Sequence, residues 1–364
     1  MKKDFIIRQE QRQPLRQLYM WLKSLQSTVI FMQTGAHPDD ETSHLLARLS
    51  LGDGMHVVYV NAVRGQGGQN ALGPERGDSL GYLRTEELFE AMRVIRADIA
   101  WLAESPDDPI WDFGFSKSGE ETFEHWGREH SLRQMVKMVS LFKPDILIPT
   151  FLDVPGQHGH HRAVTQTTIA AFDEAADAKK FDDLELAAWQ VNTLYLPAWG
   201  GGGGSYDDEV PPPDATHEIR TGEYDAVLGG TYAQIGEWSR ACHATQGMGR
   251  QVDEEERPVP LHQLRTDDAL AAFPNGEAVL SALCHLQNAL LALEQSVAPR
   301  HVHRVHLKMR QAGMAACEAA ALQFHFDVSP AVPVVGQPAE ASLSWHVADP
   351  ANAPVISAIM KGPE

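Results

Sequence analysis

Thr28-Val29-Ile30-Phe31-Met32 runs, through Gln33-Thr34-Gly35, into Ala36-His37-Pro38-Asp39-Asp40-Glu41, and this junction decides how the chain is read. The first stretch is apolar and β-branched and ends in small residues, the pattern of a buried strand that delivers a loop. The second packs one imidazole and three carboxylates into five positions. In open α/β sheets, ligands sit just beyond the carboxyl ends of such strands. His37 and Asp40 are placed to grip one divalent metal, with Asp39 left free beside it. Holding four adjacent polar groups at a strand end is costly, and chemistry is the usual compensation. The simpler alternative is a capping loop, Asp39 or Asp40 only closing the start of the next helix. One cap, however, does not require a histidine, a proline and three acids in a row. Glu41 reads as a tether of the loop.

Outward from this junction the pattern alternates. Helical periodicity covers 12–25, 41–51, 83–95, 131–142 and 165–178, and buried strands are predicted at 28–34, 57–62, 99–102, 145–150 and 191–196. This rhythm predicts an α/β fold, a mostly parallel sheet with helices on both faces. Further helices are predicted near 230–244 and 278–294. Five glycines, Gly200 to Gly204, precede Pro211-Pro212-Pro213, so 200–213 reads as a mobile loop or lid. From Asp327 prolines punctuate short runs and Ala341 to Val347 alternates as a strand does, which predicts a short β-rich C-terminal extension. The domain division expected is therefore 1–326 and 327–364.

Composition excludes several classes. With 364 residues, 43% of them hydrophobic, there is ample material for a core. A net charge of −19 and the lack of a basic stripe argue against nucleic acid. No run approaches the roughly 20 apolar residues of a membrane helix, and the amino terminus lacks the apolar core of a signal peptide. Cys242, Cys284 and Cys317 are odd in number and far apart, which fits a reducing compartment and a cytoplasmic location. The sequence leaves the oligomeric state open.

A second constellation, Gly156-Gln157-His158-Gly159-His160-His161-Arg162, follows the predicted strand at 145–150. It lies at another strand end, so it can meet the His37 loop on the same rim of the sheet. His37, Asp40 and one of its histidines would make two nitrogen ligands and one oxygen ligand, leaving a position open for water as in catalytic zinc sites. The pKa of water bound there would fall from about 15.7 toward ~7, with Asp39 as general base and a spare histidine to stabilise the oxyanion. The loop Arg64-Gly65-Gln66-Gly67-Gly68-Gln69-Asn70 lacks the P-loop lysine and reads as a rim of the substrate pocket. His301, His303 and His306 read as a solvated surface run rather than a second metal site. Arg240 and His243, at i, i+3 spacing, either point into the cleft or belong to a buried network.

His37-Pro38-Asp39-Asp40-Glu41 with the later His158/His161 pair resembles the PIG-L/LmbE-like family of metal-dependent GlcNAc de-N-acetylases. Arg64 to Asn70, Leu80 to Leu88, Asp112 to Ser116 and the segment Tyr232 to Gly249 extend the likeness over roughly residues 28 to 250. The resemblance implies a Rossmann-like fold, metal ligands at His37, Asp40 and His161, Asp39 as general base and His158 as the residue polarising the tetrahedral intermediate. It implies substrate contacts at Arg84 and Asp112, and Zn2+ as cofactor, with Fe2+ as the alternative. The activity implied is hydrolysis of the N-acetyl group of a GlcNAc-type amino sugar or conjugate, metal-bound water attacking the amide. A non-catalytic sugar-binding module and an amidase using another divalent metal are the competing readings. The family usually has an aspartate where His160 stands, which leaves the role of His160 open, and a substrate-contacting tyrosine where Gly156 stands.

Overall fold

The computed structural model describes residues 14–105, 107–198, 210–248, 259–266, 280–319, 322–329 and 340–347. They fall into two compact units, one of 27–273 and one of 1–26 with 274–364. The run Gly200 to Gly204 lies outside the described residues, as do 330–339 and 348–364 of the C-terminal extension.

In the 27–273 unit, strands β1 (Ile30–Gly35), β2 (His56–Asn61), β3 (Asp98–Trp101), β4 (Ile146–Pro149) and β5 (Thr193–Pro197) are parallel. Strand β9 (Val259–Thr266) extends the sheet antiparallel to β5, and β6 (His217–Ile219) pairs antiparallel with β9 on its far side. A two-residue pair, β7 (Tyr224–Asp225) and β8 (Gly230–Thr231), stands apart. The order β3-β2-β1-β4-β5-β9-β6 makes the α/β sheet mostly parallel. Every residue of β1 is buried, as expected of a strand covered on both faces. Its two polar members are satisfied: Gln33 exchanges hydrogen bonds with Thr42 (2.9 and 3.0 Å), and the Thr34 and Thr168 hydroxyls pair at 2.7 Å.

Chain order reverses between β1 and β4, since β2 and β3 lie on one side and β5 on the other. A cleft opens beyond the strands at such a switch point, and both polar motifs sit there. Phe31, Met32, Leu45, Leu46, Tyr59, Leu88 and Met92 fill the core beneath it, each contributing about 1.5–3 kcal/mol by burial.

Several elements depart from the sequence expectation. The helix over 41–51 is a short α-helix, Ser43–Ala47, continued by a π-helical turn, Arg48–Gly52. The helix predicted from 83 starts at Asp78 and runs to Ile95. The one predicted from 165 spans Gly159–Glu174 and so carries the second histidine cluster on its first turn. Helix Gly119–Trp126 was not foreseen, although Ser118 caps it by accepting the Glu121 amide at 3.1 Å.

In the other unit, Pro14–Ser24 packs with Val302–Ala319, a helix also absent from the sequence expectation, and Leu280–Glu294 packs on the latter. Leu290, Val305 and Ala312 form its core, with Leu25, Leu286, Val297 and Met309 against them. Strands β10 (Leu322–Ser329) and β11 (Glu340–Val347) pair antiparallel. Residues 280–319 thus belong with 14–24 in this unit. Among the described residues no helix is long and apolar enough to cross a membrane.

Candidate active site

The turn after β1 is closed on itself. Asp40 Oδ2 accepts the amides of Ala36 and His37 at 2.9 and 2.8 Å, so this carboxylate does the capping expected of a plain turn. Its other oxygen, Oδ1, faces His161 Nε2 at 3.3 Å. His37 Nδ1 lies 3.2 Å from His161 Nε2 and 3.5 Å from Asp40 Oδ2. His37, Asp40 and His161, 121 or more positions apart across the two motifs, are thereby brought together.

Two supports aim these rings, and both escaped the sequence reading. Gln157 Oε1 accepts a hydrogen bond from His161 Nδ1 at 2.7 Å, which assigns the proton to Nδ1 and leaves the Nε2 lone pair facing Asp40. Phe151 stacks on the same ring with centroids 4.1 Å apart. The other face of His37 meets His160: Nε2 is 3.1 Å from His160 Nδ1. With His37 donating there, its Nδ1 also presents a lone pair.

His37 Nδ1, His161 Nε2 and the Asp40 carboxylate converge at 3.2–3.5 Å, close enough to share either a proton or a cation. Ligands about 2.0–2.2 Å from a tetrahedral ion stand roughly 3.3–3.6 Å apart, so the residues fit one divalent metal. One ring nitrogen of His158 also falls within 4.8 Å of those of His37 and His161. His37 with Asp112 and His160 makes an alternative group through the other nitrogen of His37. The contact between His37 and His160 is a good hydrogen bond, and Asp112 stands 4.0 Å from His37. His306 pairs instead with Glu294 at 2.5 Å, and among the described residues both metal-spaced groups lie at this cleft.

Electrostatics separate the two aspartates. Burial alone would raise Asp40, but the charges and hydrogen bonds of His161 and His37 hold it well below the usual carboxylate range. His37 is raised: burial lowers it, and the hydrogen bond and charge of Asp40 prevail. Burial pushes Asp39 up to about 6, against the pull of Arg84 and with the help of Asp40. Two neighbouring carboxyls held apart in pKa are the usual signature of divided roles. His158 is lowered to about 4 by burial and then by His37 and His161, so it is neutral at pH 7. Its Nε2 accepts the Ser116 amide at 3.2 Å and lies 3.2 Å from Gly114 O.

Arg84 is buried and spends its guanidinium inside the protein. It donates to Asp39 Oδ1 at 2.7 Å, to Pro38 O and to Gly65 O at 3.3 Å. A Cβ at Gly65 or Gly68 would stand 2.5 Å from Arg84 Nη1, so the glycines of this loop admit the guanidinium rather than a phosphate. Asp112 is buried too, accepting the Gly114 amide at 2.9 Å. Gly159, between the histidines, packs against the 116–118 segment, where a Cβ would meet Ser118 O at 2.5 Å.

Residues 32–172 match the PIG-L family model, described as GlcNAc-PI de-N-acetylase. That segment is similar to the family. It holds His37, Asp39, Asp40, Arg84, Asp112, His158 and His161. A curated protein, mycothiol S-conjugate amidase of Streptomyces coelicolor, is 26% identical over 175 residues, covering 42% of this chain and 55% of that protein. The chain thus spans about half the length of this relative. N,N'-diacetylchitobiose deacetylase from Pyrococcus horikoshii aligns at a TM-score of 0.40 and 16% identity, over 60% of this chain and 70% of its own. GalB, the 4-carboxy-2-hydroxymuconate hydratase of Pseudomonas putida, aligns at 0.40 and 11%, over 67% of this chain and 100% of its own.

Proposed function

We propose that this protein is a metal-dependent hydrolase of amide bonds, a deacetylase or amidase acting on a small N-acylated amino sugar or its conjugate. The observation that carries this reading is the convergence of His37 Nδ1, the Asp40 carboxylate and His161 Nε2 beside an aspartate whose carboxyl is raised to about 6. His37, Asp40 and His161 would hold the ion, zinc by preference. Two imidazoles and one carboxylate suit ferrous iron as well, and anaerobic purification with elemental analysis separates the two. When bound, the ion supplies Lewis acidity and lowers the pKa of water.

The rest is done by side chains. Arg84 engages Asp39 Oδ1, so Oδ2 is the oxygen left to take the proton of the attacking water and return it to the leaving amine. A carboxyl near 6 is ionised at neutral pH and still basic enough for that transfer. Neutral His158, accepting the Ser116 amide through Nε2, carries its proton on Nδ1, where it can donate to the developing oxyanion. Asp112, at the floor of the cleft beside His37 and His160, is the proposed substrate hydrogen-bond acceptor. Arg84 acts on substrate through Asp39 and the Gly65 rim. All these residues lie in the 27–273 unit, which we take as the catalytic unit, and free Cys242 and Cys317 support a reducing, cytoplasmic setting.

Purified protein with a measured metal content, assayed for acetate release on a panel of N-acetyl amino sugars and thiol conjugates, tests this reading. Turnover that a chelator abolishes and added zinc restores is expected. A metal-loaded protein that releases no acid from any N-acyl substrate refutes it.

A further inference from the structure

His243 lies outside the family-matched segment and 202 positions from Glu41, yet it reaches the reactive loop. The two side chains are fully buried and hydrogen-bonded, His243 Nε2 to Glu41 Oε1. The second oxygen of Glu41, Oε2, accepts the backbone amide of Asp39 at 3.0 Å. Asp39 itself has φ of 103°, a region that a residue with a Cβ occupies only when its surroundings force it. The turn holds Asp39 in that conformation from two directions, by Glu41 on its amide and by Arg84 on its carboxylate.

The segment that carries His243 is itself stapled down. The amide and hydroxyl of Thr245 reach the Glu87 carboxylate at 2.8 and 2.6 Å. Thr245 O accepts the Ala71 amide at 2.7 Å, and Gln246 donates to Gln69 O at 2.9 Å. Residues 243–246 are therefore fixed both to helix Asp78–Ile95 and to the glycine-rich rim.

We propose that His243 is a positioning residue that, through Glu41, holds the Asp39 backbone in its strained conformation and so aims the Asp39 carboxylate at the reacting atoms. A buried ion pair on its own is weak support for stability, because desolvation offsets the attraction. What this pair secures is a geometry: without the Nε2 contact, Glu41 is an unpaired buried carboxylate free to turn from the Asp39 amide. Among the described residues His243 Nδ1 has no partner, so Nε2 alone makes the link. Glutamine can place a donor at that distance and asparagine cannot.

This rests on the base role proposed for Asp39, and its test separates the two. His243→Gln and His243→Asn are compared by crystal structure, metal content and steady-state kinetics. His243→Gln is expected to keep Asp39 at positive φ and kcat within about threefold of wild type. His243→Asn is expected to release the Asp39 amide and let φ turn negative, lowering kcat about 10- to 100-fold, as an ångström of misplacement does, with KM and metal content near wild type. A purely structural pair would lower stability in both and leave the split between kcat and KM untouched. A folded His243→Asn protein with Asp39 still near 103° overturns the proposal, as does one whose kcat is unchanged. If wild type hydrolyses nothing while His243→Asn still relaxes the loop, the clamp stands and the hydrolytic reading falls. Should His243→Asn not fold, Glu41→Asp, one methylene shorter, carries the same readouts and the same refutation.

Discussion

The two strand ends that build the cleft are made in opposite ways. Beyond β1 the site is a tight turn whose acids accept the turn's own amides, with Arg84 and His243 bracing Asp39 and Glu41 from outside it. Asp40 caps Ala36 and His37, Glu41 holds Asp39, and Gln33 closes the end on Thr42. Beyond β4 the histidines ride at the start of a helix, and what aims them comes from the loop before it and from the 111–126 segment. Gln157 and Phe151 orient His161, the Ser116 amide engages His158, and His160 is packed beneath Trp126 and Phe113. The turn supplies the carboxylates; the helix presents His158, His160 and His161. Changes in the first should therefore be abrupt, and changes in the second graded.

The largest effect is expected at the shared ion. His37→Ala and Asp40→Ala should each lose the bound metal by elemental analysis and drop activity to background; metal retained in either would break the proposed cage. Next comes Asp39→Asn, a substitution that tolerates positive φ. It should keep the metal yet lose about 10²–10⁴-fold in kcat, read by acetate release; an undiminished rate removes Asp39 from the base role.

Gln157→Ala probes the other strand end. Freed of its hydrogen bond at Nδ1, His161 should hold metal about 10–100-fold less tightly, measured by competition with a chelator, while metal-saturated turnover changes little. An abrupt, total loss there would erase the contrast between the two regions. The smallest effect is in pH. A base must be deprotonated, so its raised pKa means that activity is lost as pH falls through that value. With Asp39 near 6, and a bound cation pulling it lower, the acid limb of kcat should lie at or below about 6. A limb near 8 would point to another group.

The same contrast explains what the sequence could reveal. The β1 turn was legible because its strand, its ligands and its tether lie within a dozen consecutive residues, and so was the parallel alternation of strands and helices. The helix that begins at Gly159 is predicted only from Thr165, and a glycine between histidines carries no helical signal of its own. It is there for the close approach of the 116–118 segment. Helix Gly119–Trp126 did carry a readable signal, Ser118 followed three residues later by Glu121. Helix Val302–Ala319 has apolar positions at helical spacing, Val302, Val305, Met309 and Ala312, with His303 and His306 set among them. Nothing local announces β9, which pairs with β5 some seventy positions earlier and contains a proline, nor the link from His243 to Glu41. Arg84 and Asp112 were picked out by resemblance; their burial against Asp39 and Gly114 follows from side-chain packing that no spacing encodes.

The most direct test is an anomalous difference map from crystals of the protein loaded with zinc. A single peak is predicted about 2.0–2.2 Å from His37 Nδ1, Asp40 Oδ1 and His161 Nε2. A peak on the opposite nitrogen of His37, shared with His160 and Asp112, or no peak in the cleft, would contradict it.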